Sequence, residues 1–480
     1  MSELLAGAFE VDITPPLDVP LGSGFSPPQV EGVADPLRAR ALVLVGGEEA
    51  VALTNADILA VDPALCGHVR RLVHAQTGIP PQNVLVSATH THSCGGRLQP
   101  SRGNGDPALV EIIARQIAGA VSAARRRLRP AALSVGAVRV PGITRNRRDP
   151  DAPVDDVLRV LRVDSDQGLV AVLTTFACHP VLVLRDRPVL SADFPGMMAG
   201  IMKVTLGADV VVLPANGACG DVNPVVLSSD GLDSARWIAQ QLAGEAIALL
   251  ARLEAAGRTL RTENTRWGLA LTVDALGGAR LTTPVVRART VSVRLPYKTF
   301  RPADDLAAEA DAAAGALIAA GVDRAIVARW QEGRTVPVES EHGLTAEDRA
   351  ARRHLASQVL QRRSEAWSAR VAAHQGITAA ASRDLELQGF AFGPDVALVA
   401  TPFELFSGVG LDLQAANPFR HLMTLSYSND LGGYLMPDEE LERGGFEPGI
   451  TFYGKGAAAA VREGCLELLR TLASAVRAAP

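Results

Sequence analysis

Two histidines separated by one residue, His90 and His92, are the clearest candidates for chemistry in this chain. They lie in the run 84–93, which begins apolar and breaks off into Cys94 and two glycines. The run predicts a buried strand, and side chains two positions apart on a strand project to the same face. We therefore expect both imidazoles side by side at the end of the strand, where α/β proteins commonly place their chemistry. Such a pair indicates a metal or catalytic site.

Three other polar residues also follow apolar runs. His179 comes after one such run, and Pro180 stops the strand ladder, which frees the histidine to point into a cleft. Glu404 lies between two apolar residues, where a carboxylate is costly to bury unless it is paired or bound to a metal. The third, a tyrosine, lies in a polar loop after a further run, and that loop holds both Tyr427 and Tyr434. The pattern predicts that these residues join the two histidines at strand ends.

The loop 216–224 follows another apolar run and is rich in glycine and asparagine. These residues permit unusual backbone angles and can bring amide N–H groups close to a ligand. The same composition is also typical of a well-capped turn. Asp221 in this loop could orient a ligand histidine or serve as a turn former.

Two histidines, a carboxylate and an oxygen donor form a donor set suited to zinc, with an open position for water or substrate. The candidates are spread over more than 300 positions, so their spacing along the chain does not identify the site. The same donor set could also hold manganese or iron. The residues alone therefore predict a metal site, with zinc as the first choice.

The elements that must position these residues alternate between strands and helices. The 480 residues are 48% hydrophobic, enough for a large core, and the alternation predicts an α/β fold with a mixed sheet flanked by helices. We predict one catalytic domain over 1–480, with a helical hairpin insertion at 303–376. Predicted strands are 40–45, 50–54, 84–93, 157–163, 169–176, 210–213, 385–392, 396–401 and 422–426, with a β-like pattern over 258–296. Predicted helices are 64–76, 108–127, 232–253, 303–321, 345–374 and 457–477.

Composition excludes several classes of function. A net charge of −5 gives no reason to expect nucleic acid or an anionic membrane as a partner. Five cysteines without a C-x-x-C pair give no indication of a disulfide framework. We see no signal peptide and no membrane span, so we expect a cytoplasmic protein that acts on a small molecule. The sequence allows a homo-oligomer without predicting one.

Several short motifs occur in a fixed order between about residue 7 and residue 460. They are Asp12-Ile13-Thr14-Pro15, Gly24-Phe25, Thr89-His90-Thr91-His92-Ser93, Asn146-Arg147, Phe176-Ala177-Cys178-His179-Pro180, the loop 216–224, Pro402-Phe403-Glu404, and 429–434 with Glu439-Glu440. This ordered set resembles the N-terminal catalytic domain of the neutral/alkaline non-lysosomal ceramidase family. Carried over motif by motif, the resemblance implies a set of zinc ligands: His90, His179, Glu404 and Tyr434. It also implies residues on the substrate side: His92, Arg147, Gly24 and the pocket tyrosine Tyr453.

The chain departs from that family in two respects. In the family, the serine of a Gly-Asp-Val-Ser-Pro motif is the proposed nucleophile, and this chain has Asn223 at that position. An amide cannot attack a carbonyl. The chain also stops where family members continue into a C-terminal immunoglobulin-like domain. We therefore expect a divergent relative that keeps the metal and acts on a different substrate.

We predict a zinc-dependent hydrolase that cleaves an amide, ester or lactone bond in a small polar substrate. Zinc would lower the pKa of a bound water to roughly 7 and polarise the carbonyl. His92 could move the proton or stabilise the oxyanion, and Asn223 could donate to the same oxyanion. Arg147 suggests a carboxylate or another polar group on the substrate, and Asn216 is predicted to contact it.

Two other interpretations remain open at the level of sequence. Cys94, Cys178 and Cys219 lie within the three site motifs, and a thiolate near a metal or a histidine would be a strong nucleophile. Alternatively, Asn223 marks a non-catalytic relative that binds a metal or ligand. The alanine-rich helices at 303–374 could form a partner interface or a lid over the pocket.

Overall fold

Two β-sheets packed face to face form the centre of the protein, and helices cover their outer sides. The computed structural model describes residues 3–21, 28–96, 98–99, 104–183, 188–255, 259–261, 270–272, 278–281, 285–331, 345–378 and 381–478. Mixed sheets flanked by helices confirm the predicted α/β class.

The elements are numbered in chain order. The strands are β1 (Leu5–Asp12), β2 (Gly32–Val33), β3 (Arg38–Gly46), β4 (Glu49–Ala56), β5 (Val84–Ala88), β6 (Leu98–Gln99), β7 (Asn104–Gly105), β8 (Arg129–Arg139), β9 (Thr144–Asn146), β10 (Val157–Ser165), β11 (Gly168–Phe176), β12 (Val189–Leu190), β13 (Val211–Asn216), β14 (Val222–Pro224), β15 (Thr259–Arg261), β16 (Ala270–Thr272), β17 (Gly278–Arg280), β18 (Val286–Pro296), β19 (Ser382–Phe392), β20 (Val396–Ala400), β21 (Phe403–Leu405), β22 (His421–Leu425) and β23 (Gly433–Leu435). The helices are α1 (Pro63–Thr77), α2 (Pro107–Arg125), α3 (Asp193–Leu206), α4 (Gly231–Ala255), α5 (Ala303–Ala319), α6 (Arg324–Gln331), α7 (Ala346–His374), α8 (Ser407–Ala416), α9 (Asp438–Arg443), α10 (Phe446–Ile450) and α11 (Ala457–Arg477).

The larger sheet has the order β13-β11-β10-β8-β1-β3-β4-β5, with β17 paired to β8. Strand β3 is an example of a strand whose two faces are both buried. Ala41 and Val43 pack with the helices on one side, whereas Leu42 and Leu44 pack against the second sheet on the other. Since successive side chains point to opposite faces, a strand covered on both faces is apolar at nearly every position.

The smaller sheet has the order β18-β19-β20-β22. Its inner face, which includes Phe390, Leu398 and Met423, packs against the larger sheet. Its outer face packs against α11, whose observed bounds equal the predicted ones. The predicted β-pattern over 258–296 is observed for β18, while part of its earlier half lies outside the described residues.

Helix α2 is long and apolar enough to cross a membrane, judged by length and composition alone. Its buried residues Leu109, Ile113, Ile117 and Val121 pack in the same cluster as the helix-facing side of β3. We therefore interpret α2 as a core helix of this fold.

The predicted helical hairpin at 303–376 is observed as two long helices with a short one between them. Helix α5 packs along α7, and α6 joins them through Leu317, Val327 and Val359. The turn-rich segment 332–344 lies outside the described residues. On its other side α7 contacts α10, which lies near the candidate site. The single-domain assignment of 1–480 stays a prediction.

Candidate metal centre

Three imidazole nitrogens converge where the ends of several strands meet. The Nε2 atom of His90 lies 3.0 Å from that of His179 and 3.2 Å from that of His92. The third side of the triangle, between His179 and His92, is also 3.2 Å. His90 and His179 are buried, and His92 is partly buried. Residues 89 positions apart thus present their ring nitrogens to one point.

Backbone carbonyls orient two of these rings. His90 Nδ1 donates to the carbonyl of Leu59 at 2.6 Å, and His179 Nδ1 donates to that of Cys219 at 3.1 Å. A carbonyl oxygen can only accept, so each Nδ1 is a donor and each Nε2 is turned toward the cluster. Burial, together with the neighbouring His90 and Arg147, holds the pKa of His179 well below its usual value. The neutral form of His179, which is the form that binds a metal, is therefore favoured.

The loop that carries His90 differs from the prediction. Strand β5 ends at Ala88, so His90 and His92 lie beyond it, and the two-residue strand period does not explain why they meet. Instead His90 has φ of 63°, in the left-handed region that non-glycine residues rarely adopt. The buried ring of Tyr427 stacks on the His90 ring, with centroids 3.8 Å apart. A strained backbone held by packing is typical of functional sites.

His179 follows the end of β11 at Phe176 and lies between two loops. Its backbone N–H donates to the carbonyl of Val222, and the N–H of His92 donates to the carbonyl of Pro180. Asn216 ties the same region together, because its Nδ2 donates to the carbonyl of Thr89 at 2.7 Å. Two backbone hydrogen bonds and one from the Asn216 side chain thus join these loops around the cluster.

Glu404 completes the cluster from the second half of the chain. Its Oε2 lies 3.3 Å from His90 Nε2 and 3.8 Å from His179 Nε2. This oxygen is buried and has no hydrogen-bond partner among the described residues. Strand β21 pairs in parallel with β23, and Glu404 lies opposite Tyr434 in that pairing. Both side chains of the pair therefore project to the same face.

These residues fit a divalent metal ion. Ligands held 2.0–2.1 Å from a tetrahedral zinc are about 3.3 Å apart, and the nitrogen and oxygen atoms here are separated by 3.0–3.8 Å. Three ring nitrogens and a partnerless carboxylate oxygen repel one another unless a cation lies among them. Among the described residues, these three histidines lie close enough together to hold a metal ion.

Arg147 connects Tyr434 and Asn223 beside this cluster. Its Nη2 donates to the Tyr434 hydroxyl at 3.1 Å, and its Nη1 donates to Asn223 Oδ1 at 3.3 Å. Its Nε donates to Glu447 at 2.8 Å. Burial opposes the charge of Arg147, but Tyr434, Glu447 and Glu404 outweigh it and raise the pKa of the guanidinium. Arg147 therefore stays charged and fixes its neighbours' orientation.

Sequence reasoning missed Glu447, which binds two arginines. Its second oxygen accepts from Arg148 Nη1 at 2.7 Å, and Arg148 Nε also donates to Glu440 at 2.6 Å. Burial tends to raise the pKa of Glu447, but Arg147 and Arg148 lower it below its usual value. Glu447 lies 300 positions from Arg147, so no local pattern could have paired them.

The remaining predicted residues lie in different surroundings. The Asp221 carboxylate accepts from Ser407 N, from Ser407 Oγ and from Asn146 Nδ2, while the Cys219 carbonyl orients His179. These contacts tie the Asp221 loop to the start of α8 and to β9. Its two predicted roles, orienting a ligand histidine and forming a turn, both stay predictions. Tyr453 is buried, and its ring contacts Tyr297 and Phe403. Gly24, predicted on the substrate side, lies outside the described residues.

The three cysteines of the site motifs are all buried. Burial raises the pKa of the Cys94 and Cys219 thiols to about 12, and that of Cys178 well above its usual value. Cys219 Sγ lies 3.3 Å from the Tyr427 hydroxyl. Such thiols stay protonated at neutral pH and are poor nucleophiles.

Comparisons with known proteins agree with this arrangement at the level of the fold. No protein-family model matches the chain, and no curated protein matches its sequence. The solved structure of neutral ceramidase from Pseudomonas aeruginosa is similar, with a TM-score of 0.68, 17% identity, and coverage of 100% of this chain and 75% of that one. A ceramidase complexed with C2 is similar to the same degree, with 17% identity and coverage of 100% and 76%. The chain therefore has a ceramidase-like fold, as the motifs predicted.

Proposed function

We propose that this protein is a metal-dependent hydrolase that cleaves an amide, ester or lactone bond, with zinc as the first choice of metal. The observation that carries the proposal is the convergence of three Nε2 atoms, 3.0–3.2 Å apart, beside a buried carboxylate oxygen that lacks a partner. The ceramidase-like fold supports it, because the similar solved structures are named as ceramidases.

His90, His179 and Glu404 would hold the metal. Tyr434 and His92 are candidates for the fourth ligand. Tyr434 is favoured by the family resemblance and by its place opposite Glu404. His92 is favoured because its Nε2 lies 3.2 Å from that of His90. A bound zinc would supply Lewis-acid activation of water and of the substrate carbonyl. If Tyr434 is the ligand, His92 Nε2 is placed to accept a proton from the attacking water.

Asn223 and Arg147 would act on the substrate. Asn223 Oδ1 accepts from Arg147, which leaves the Nδ2 donors of the amide for an oxygen that develops negative charge. Asn223 has no nucleophilic oxygen, so water is the attacking group. Arg147 uses three of its five N–H donors on Glu447, Asn223 and Tyr434. Two donors then remain for a polar group of the substrate.

The alternative of a cysteine nucleophile is weakened by the burial of Cys94, Cys178 and Cys219, because the raised pKa of each thiol disfavours the thiolate. The non-catalytic alternative, motivated by Asn223, predicts metal binding without turnover. A substrate screen therefore separates it from the proposed hydrolase.

The first experiment is the metal content of the purified protein, measured by inductively coupled plasma mass spectrometry without added metal. We expect about one zinc per chain, and loss of that zinc in His90→Ala and Glu404→Ala. His68→Ala is the matched control, since the His68 ring pairs with Glu111 on α1 and α2. A protein that binds no zinc, manganese or iron even after reconstitution would contradict the proposal.

Two further variants assign the remaining roles. Loss of zinc in Tyr434→Phe but not in His92→Ala would identify Tyr434 as the ligand, and the reverse would identify His92.

Amide, ester and lactone substrates, including an N-acyl amide such as ceramide, are then screened with and without a chelator. Turnover that the chelator leaves unchanged would refute metal dependence.

A further inference from the structure

Helix α10 and the residue after it hold two groups that lie beside the histidine cluster. Glu447, on α10, accepts from Arg147 Nε at 2.8 Å. Thr451 Oγ1 donates to the backbone carbonyl of Tyr434 at 2.7 Å, and Thr451 N donates to the carbonyl of Glu447. A displacement of α10 would therefore move both Arg147 and Tyr434.

A helix of five residues does not hold its own position, because a single turn gains too few hydrogen bonds to offset its ordering. The last carbonyls of such a helix also need hydrogen-bond donors from outside it. Lys298 Nζ supplies two of these bonds, to the carbonyls of Pro448 at 2.9 Å and Gly449 at 3.0 Å. Ser368 Oγ, on α7, lies 2.9 Å from the carbonyl of Gly449 and 2.9 Å from that of Glu365, so its single proton is shared between these two acceptors.

Close packing adds to these bonds. A Cβ added at Gly449 would lie 2.9 Å from Ser364 Cβ and 3.0 Å from the carbonyl of Gln361, so α10 lies directly against α7. Lys298 is half-buried, and its ammonium also lies 5.6 Å from the centre of the Phe300 ring. A cation at the C-terminal end of a helix is favourable, which suits an ammonium with three donors.

We propose that Lys298 and Ser368 are positioning residues for the site. They bind the C-terminal end of α10, which fixes Glu447 and Thr451. We call the bonds from Lys298 and Ser368 to α10 the clamp. Through Glu447 and Thr451, the clamp sets the positions of Arg147 and Tyr434. This role makes the helical segment α5–α7 a support for the site, through Ser368 on α7. The catalytic consequence rests on the proposed function, whereas the clamp itself exists in metal-free protein.

Hydrogen–deuterium exchange of metal-free protein, followed by mass spectrometry, tests the clamp. We expect peptides that cover 445–453 and 433–435 to exchange about tenfold faster in Lys298→Met, since two charge-assisted hydrogen bonds are lost. Ser368→Ala should give a smaller increase, and Lys298→Arg should stay closer to the parent. Lys455→Met is the control, because Lys455 is exposed and pairs with Glu442. Unchanged exchange of these peptides in both Lys298→Met and Ser368→Ala would overturn the proposal.

Cobalt(II) loading tests the positioning role. The visible spectrum of bound cobalt reports the arrangement of its ligands, so a general loss of stability would not shift it. We expect Lys298→Met to bind cobalt with an altered spectrum, and Lys455→Met to give the spectrum of the parent. If Tyr434 is the ligand, a parental spectrum in Lys298→Met would refute the positioning role; if His92 is the ligand, unchanged hydrogen exchange at 433–435 would refute it. If the parent itself binds no cobalt, the proposed function fails, and hydrogen exchange still decides whether Lys298 holds α10.

Discussion

Glu447→Gln is the substitution that most directly tests the charge network beside the site. The Glu447 side chain is 6% exposed, and its two oxygens accept from Arg147 and Arg148 at 2.8 Å and 2.7 Å. Gln has nearly the same shape, but it has no charge and presents an amide N–H₂ to one of the arginines. The variant therefore removes the ion pairs without opening a cavity.

The expected cost follows from the partners that remain. Arg148 keeps Glu440, whereas Arg147 keeps only the neutral oxygens of Asn223 and Tyr434. Removing one partner of a buried ion pair costs about 3–5 kcal/mol, since the other charge stays buried. We expect the free energy of unfolding at pH 7 to fall by about 3 kcal/mol in Glu447→Gln.

This loss should depend on pH. The folded-state pKa of Glu447 is lowered from 4.5, so the unfolded state binds more protons between the two pKa values. The stabilisation is therefore fully present above the unfolded value and is lost as the pH falls through the folded one. The parent and Glu447→Gln should differ most above about pH 5 and converge toward acidic pH.

Urea denaturation followed by circular dichroism at several pH values measures both effects. Glu442→Gln is the matched control, because the Glu442–Lys455 pair is exposed and should leave the midpoint unchanged. A loss below about 1 kcal/mol at pH 7 would refute the ion-pair argument. A difference that stays constant from pH 7 to acidic pH would also refute it.

Two other predictions concern the immediate surroundings of the site. A Cβ at Gly220 would lie 2.5 Å from the carbonyl oxygen of Glu404, so Gly220→Ala should displace Glu404 and weaken metal binding. Gly119→Ala, whose Cβ meets nothing within 4 Å, is the control, and metal retained after chelator dialysis equal to the parent's would contradict the prediction. The second prediction concerns Cys94 and Cys219, because burial raises the pKa of both thiols to about 12. A thiol reagent should therefore label neither cysteine in the native protein. Labelling that abolishes turnover would instead favour a cysteine nucleophile.

Periodic burial was readable from the sequence, since it is a local property of the chain. Strands such as β3 and β20 are buried on both faces and are apolar at nearly every position, so their existence was predictable. Helix α11 has one clear apolar face and was predicted at its observed bounds. In contrast, β1, β8 and α3 were not predicted. Their residues satisfy contacts made by distant parts of the fold, and α3 has no side-chain cap to mark its start.

The sequence alone also indicates which side chains could bind a metal, because the type of a residue and its position after a predicted strand can both be read from it. That His90, His179 and Glu404 meet became apparent from the folded chain alone. Their approach depends on a left-handed backbone at His90, on carbonyls that orient the rings, and on the pairing of β21 with β23. The packing of two sheets sets these distances, and no local pattern encodes a contact between residues hundreds of positions apart.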